Sequence, residues 1–276
     1  IMKAFRADPE IFRLTSRDRD RADLRIEGLT LRFGGVVAVH DVTLDVRTGE
    51  FLSVIGPNGA GKTSLLNCVT GYYRPQEGII SFNGKNVTRH PPHELVRVGI
   101  GRTFQNIELF PGLSVLSNLL LARHIHYGYN FLSAAFFLPS VRREEVRHRR
   151  IVEEIIDFLE MQSIRHRLVG SLPYGLRKRV ELGRALALEP KLLILDEPFA
   201  GMNLEEKEDM VRFLRELHGV WKRTIVLVEH NMSIVMSLSE RIAVLNFGEK
   251  LAEGTPAEIQ GNPEVTRAYL GPAEEA

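Results

Sequence analysis

Residues 56–63 read Gly-Pro-Asn-Gly-Ala-Gly-Lys-Thr, and no other stretch of the 276-residue chain restricts its fold so tightly. Before it, Phe51–Ile55 is a short apolar run. After it, Lys62–Gly71 carries Leu65, Leu66 and Val69 at helical spacing. Strand, glycine loop and helix in that order open an α/β nucleotide-binding core. The loop suits a polyphosphate, whose oxygens need many donors at close range. Gly56, Gly59 and Gly61 let backbone N–H groups curl around the anion with no Cβ in the way. The following helix aims its positive dipole end at the same place. Pro57, Asn58, Ala60 and Ser64 complete the loop. Lys62 is expected to reach the β- and γ-phosphates, and the Thr63 hydroxyl to hold Mg²⁺.

A second element answers the first. Leu192-Leu193-Ile194-Leu195-Asp196-Glu197 is a buried-strand pattern that ends in two carboxylates. Asp196 is expected to bind Mg²⁺ through its water shell. Glu197 is expected to orient and deprotonate the attacking water as a general base. Alone, an apolar run ending in two acids says little; downstream of a phosphate loop it completes an NTP-hydrolysing site. The chain has no Asn-Lys-x-Asp stretch for guanine, which disfavours a GTPase.

Bulk properties narrow the class further. Lys and Arg total 36 and Asp and Glu 35, a net charge of +1 that gives no basis for nucleic-acid binding. The single cysteine, Cys68, sits in an apolar helical pattern and reads as core rather than as a nucleophile. The best apolar stretch, Phe131–Leu138, is far short of the roughly 20 residues of a membrane-spanning helix. Residues 1–23 are charged and read as a flexible lead-in without a signal peptide.

Strand patterns recur at Leu24–Phe33, Val37–Val46, Gly78–Phe82, Leu192–Leu195, Thr224–Val228 and Arg241–Phe247. Between about residues 94 and 188 helical spacing dominates, notably over Arg142–Glu160. The expected organisation is an α/β core at about 24–93 and 189–253, a helical subdomain at about 94–188, a helical tail at 254–271 and a short end at 272–276. Thr255–Pro256 and Asn262–Pro263 mark two helix starts in that tail.

With these residues in place, the chain resembles the ATP-binding-cassette (ABC) transporter ATPases over about residues 24–271. The resemblance implies a P-loop NTPase (RecA-like) core with an antiparallel β subdomain and an inserted α-helical subdomain. Phe33 resembles the aromatic that stacks on adenine. Gln105 resembles the glutamine that senses Mg²⁺ and the γ-phosphate at the joint with the helical subdomain. Leu172-Pro173-Tyr174-Gly175-Leu176 occupies the signature position, which contacts the ATP of a partner subunit. Ala200-Gly201-Met202-Asn203 falls where the D-loop belongs, and His230 resembles the switch histidine. The resemblance also implies ATP and Mg²⁺ as cofactors, a head-to-tail pair of ATPase subunits, and separate transmembrane permease subunits contacted near Gln105–Ser117. It places the chain as a peripheral subunit on the cytoplasmic face of the inner (cell) membrane, served indirectly by a solute-binding protein.

Two departures qualify this. Pro173 replaces the usual signature serine, Tyr174 the first glycine and Leu176 the glutamine, so one hydroxyl and one N–H are lost to phosphate. An asymmetric pair with a different, fuller-signature ATPase is therefore expected, with a homodimer as the alternative. Asn203 stands where the D-loop often has aspartate. Within the family, Arg32-Phe33-Gly34-Gly35, the aromatic-rich insertion at about His124–Arg150, Asp196–Asn203, Val228–Met232 and Asn262–Gly271 are similar to the larger ATPase of branched-chain amino-acid importers. Members of that group also move urea, amides and organic acids. A non-hydrolysing nucleotide-gated module is the other reading left by the altered signature.

Overall fold

A computed structural model describes residues 22–103, 107–128 and 139–270. Two sheets organise them. The six-stranded sheet has the order β10 (Glu249–Gly254), β9 (Arg241–Asn246), β3 (Phe51–Ile55), β8 (Thr224–Val228), β7 (Leu192–Asp196) and β6 (Ile100–Thr103). Neighbours from β9 to β6 pair parallel, and β10 closes the edge antiparallel. Its central strands β3, β7 and β8 are buried at every position, which is why they read as unbroken apolar runs rather than alternating ones.

The second sheet is antiparallel, in the order β2 (Val36–Arg47), β1 (Ala22–Phe33), β4 (Glu77–Phe82) and β5 (Lys85–Asn86). It has one buried face. Leu24 and Ile26 alternate inward; the register then slips between Ile26 and Leu29, at Gly28 with its positive φ, and Leu29 and Leu31 resume. That face packs with α1 (Lys62–Val69) against Leu52, Val54, Ile194 and Val226 of the parallel sheet.

The opposite face of the parallel sheet is covered by α3 (Val115–Ala122), α4 (Pro139–Phe158) and α5 (Tyr174–Ala187), joined by α6 (Leu204–Gly219). α3 and α5 approach closely at Gly183, where a Cβ would lie 3.1–3.3 Å from Leu159, Met161 and Leu119. The remaining helices are α2 (Pro92–Val98), α7 (Met232–Leu238), α8 (Pro256–Gln260) and α9 (Pro263–Leu270). The last two start at the prolines the sequence marks, and Thr255 and Glu258 form a capping box on α8.

Three departures from the sequence reading bear on the frame of the site. β1 starts at Ala22, inside the expected lead-in of 1–23. β6 lies at Ile100–Thr103 in the parallel sheet, inside the stretch expected to be helical from about residue 94. The hairpin β9–β10 turns at Phe247–Gly248, both at positive φ, and adds a strand the sequence reading does not contain. Phe131–Leu138 lies outside the described residues.

Candidate active site

The phosphate loop leaves the end of β3 and enters α1. A Cβ on Gly56 would lie 2.2 Å from the Leu245 carbonyl oxygen. Gly61, at φ +96°, caps α1, and a Cβ there would lie 2.4 Å from the Ala38 oxygen. Both positions thus exclude any side chain, for steric reasons the sequence pattern only implies. Lys62 is buried, and its Nζ donates to Gly56 O at 2.7 Å and Pro57 O at 2.9 Å. Burial lowers the Lys62 pKa, while the charges of Glu197 and Asp196 raise it in opposition. Thr63, Asn58 and Gly59 are exposed at the mouth; Pro57 and Ser64 are half-buried, and Ala60 is buried beneath.

The acids sit beside this loop. Asp196 ends β7 with its side chain only 2% exposed. Its Oδ2 accepts from Arg102 Nη2 at 2.7 Å, and its Oδ1 is buried without a hydrogen-bond partner. Buried carboxylate oxygens are rarely left so, and an unmatched oxygen beside a phosphate loop fits a cation held through water. Among the described residues no group of three or more His, Cys, Asp or Glu could hold a metal ion. With one buried acid and the Thr63 hydroxyl beside the loop, the residues present would suit a Mg²⁺ held mainly by water and phosphate oxygens.

Glu197 takes the left-handed conformation, φ +49°, which turns its side chain off the strand axis, and its N–H donates to Val228 O at 2.9 Å. Its Oε1 lies 2.6 Å from His230 Nε2, a nitrogen that donates to the carboxylate. The histidine thus fixes one oxygen of the Glu197 carboxylate.

A residue the sequence reading passed over organises this pair. Glu229 is buried, and its carboxylate accepts three backbone N–H groups: Phe199 at 3.2 Å, His230 at 2.9 Å and Asn231 at 3.3 Å. It straps the segment after Glu197 to the segment carrying His230. The only signal in sequence is an acid between a buried strand and a histidine.

Leu172, Pro173, Tyr174, Gly175 and Leu176 form the entry to α5, with Pro173 as N-cap. They meet Gly201 and Glu206 of the same chain. A Cβ on Gly201 would lie 2.8 Å from the Tyr174 ring, and one on Gly175 would lie 2.1 Å from the Glu206 carboxylate. Ala200 and Gly201 are exposed, Met202 is buried, and Asn203 caps α6 in a capping box with Glu206. Asparagine serves that cap as well as aspartate does. Phe33 is 46% exposed and rests edge-on against Tyr73, ring centroids 5.1 Å apart. Tyr73 is a support the sequence reading missed. Gln105 lies outside the described residues.

Comparison with known proteins agrees with this geometry. The ABC transporter family profile matches residues 39–200. A solved ATP-binding cassette of an ABC transporter, MJ1267 in its ADP conformation, superposes with a TM-score of 0.78 at 32% identity, covering 91% of this chain and 100% of that one. The chain belongs to the ABC transporter family, as its ATP-hydrolysing cassette. The expected α/β fold class, with its antiparallel sheet, is borne out.

A finer likeness follows. Residues 249–271 match the branched-chain amino acid ATP-binding cassette transporter profile. The high-affinity branched-chain amino acid transport ATP-binding protein BraF of Pseudomonas aeruginosa is 42% identical over 253 residues, 92% of this chain and 99% of the relative. The dimeric bacterial cassette MJ0796 superposes at a TM-score of 0.72 with 25% identity, covering 84% of this chain and 98% of that one.

Proposed function

We propose that this subunit hydrolyses ATP to drive uptake of branched-chain amino acids through separate membrane subunits. The observation that carries the chemistry is the Glu197–His230 contact of 2.6 Å beside a phosphate loop and a buried Asp196. The substrate reading rests on the likeness to BraF and on the match at 249–271.

The chain's residues divide the work. The loop 56–63 binds the triphosphate, with Phe33 as the adenine platform. Lys62, now on Gly56 O and Pro57 O, exchanges those carbonyls for phosphate oxygens. Glu197 takes the proton of the attacking water, oriented by His230. Thr63 and Asp196 would hold Mg²⁺, with Gln105 as a further contact; the ion supplies charge neutralisation on the phosphates. Leu172–Leu176 and Ala200–Asn203 serve the face toward a second cassette, a different chain by the signature argument.

No helix among the described residues is long and apolar enough to cross a membrane, so a spanning partner is part of the proposal. A cavity of about 580 Å³ lies between α2–β6 and the α3–α5 pair, lined by Leu95, Ile100, Phe110, Leu121, Ile125 and Leu188. Phe110 is 50% exposed and Leu121 43%. Phe110 belongs to the segment expected to meet the permease, which supports this cleft as the docking face of a subunit peripheral to the cytoplasmic membrane face.

Two measurements test the reading. Glu197→Gln should retain Mg-ATP binding and lose turnover by at least about 10²-fold. Turnover near wild type would remove Glu197 from its role; no phosphate release by the wild type even with its partners favours the non-hydrolysing module. Uptake of labelled leucine by membranes carrying the assembled transporter tests the cargo, with urea and amides as competing solutes.

A further inference from the structure

Arg102 stands where three elements meet. It is on β6, and its Nη2 donates to Asp196 Oδ2 at the end of β7 at 2.7 Å. Its Nη1 donates to Asn67 Oδ1 at 2.7 Å and to Thr70 Oγ1 at 3.0 Å, in and just past α1. The pair is dry, with side-chain exposures of 6% for Arg102 and 2% for Asp196. In so buried a place an ionised carboxylate is costly without a counter-charge, and removing one partner strands the other. The neighbouring buried cation, Lys62, is committed to Gly56 O and Pro57 O. Lys62 therefore acts on Asp196 only at longer range, and the counter-charge in direct contact with Asp196 is Arg102.

The hydrogen bonds are also directional. The guanidinium engages Oδ2 and leaves Oδ1 without a partner. Asn67 and Thr70 hold the same guanidinium from the α1 side, so it is anchored rather than free to swing away.

We propose that Arg102 is a positioning residue that sets the magnesium affinity of the nucleotide site, by acting as a resident counter-cation for Asp196. Asp196 stays paired and oriented without the metal, so the ion's arrival relieves less than it would at a bare buried acid. The ion also meets a positive charge already in place. Both effects weaken metal binding, which favours release of metal with product. The proposal rests on the assignment of Asp196 to Mg²⁺ made above.

The test uses the full chain with saturating ADP and a Mg²⁺ titration, followed by thermal unfolding and by calorimetry. Arg102→Gln should lower Tm in the absence of metal and lower the half-saturating Mg²⁺ about tenfold, equal to ~1.4 kcal/mol. A half-saturation equal to or above wild type overturns the proposal, because a merely structural tie would move Tm alone. Should Arg102→Gln not fold, Arg102→Lys decides. Its single ammonium keeps the charge but cannot span Asp196 and the α1 pair, so half-saturation should fall about threefold; an unchanged value overturns the proposal. If Mg²⁺ fails to shift the wild type at all, the metal assignment of Asp196 falls instead, a result distinct from either variant outcome.

Discussion

Glu229 illustrates how a single side chain serves chemistry without touching substrate. Its carboxylate gathers three amides from the two segments that carry Glu197 and His230. Glu229→Ala leaves the buried Phe199 N–H without an acceptor, a cost of about 1–3 kcal/mol. Tm should fall by ~2–4 °C per kcal/mol, and kcat should drop with KM for ATP nearly unchanged, since the phosphate loop is untouched. Glu229→Gln keeps one acceptor oxygen and should recover part of the rate. Equal losses in kcat and nucleotide affinity would argue for general unfolding instead. At this scale the loop 56–63 and the acids 196 and 197 were legible because their spacing is the chemistry. Glu229, Arg102 and Tyr73 were not, because each acts through a partner distant in sequence: Arg102 reaches Asp196 across 94 positions.

Elements were legible where one rule governed them. β3, β7 and β8 are buried on both faces and read as apolar runs. β6, Ile-Gly-Arg-Thr, is four residues long, and its arginine is an internal ion-pair partner, so no apolar run marks it. β10, Glu-Lys-Leu-Ala-Glu-Gly, is an edge strand with no fully buried position, and its pairing is set by the Phe247–Gly248 turn. The helical insertion is tied by buried Arg123 just past α3. Its Nε donates to His148 Nδ1 on α4 at 3.1 Å, and its Nη1 donates to Ala187 O at 2.8 Å and pairs with Glu189 at 2.9 Å. An accepting Nδ1 needs a neutral ring. Burial first, then the Arg123 charge, push the His148 pKa down, with Glu144 opposing and His126 adding. The sign is then fixed. Above its ordinary value of about 6.5 the ring is neutral folded or unfolded. As pH falls below that, the unfolded chain takes up a proton that the folded one refuses, so stability declines down through the lowered folded pKa. His148→Gln should lose less Tm than wild type between neutral and mildly acidic pH; parallel Tm profiles would discount His148.

At the scale of the whole molecule, the phosphate loop and the apolar cleft are separate places. The nucleotide site lies at the loop after β3 and the ends of β7 and β8. The apolar cleft is walled on one side by the insertion and on the other by α2 and β6, the strand that also carries Arg102. Leu121→Asp or Phe110→Asp should abolish most co-purification with membrane subunits while leaving ATP binding by the isolated chain intact. Retained assembly would place the contact elsewhere. Dimerisation of the related MJ0796 cassette supports a paired assembly, and the Pro173 departure is the reason an unequal pair is proposed.

The tightness around Gly61 reaches further than the ligand. Gly248 N donates to Ala60 O at 3.1 Å, and His40 N donates to Gly248 O at 2.8 Å. Two consecutive peptide links thereby thread the phosphate loop, the edge hairpin and β2 into one line. Slowed or quickened solvent exchange at the amides of residues 248 and 40 becomes a label-free gauge of whether the cradle is filled, readable at backbone positions outside the loop itself.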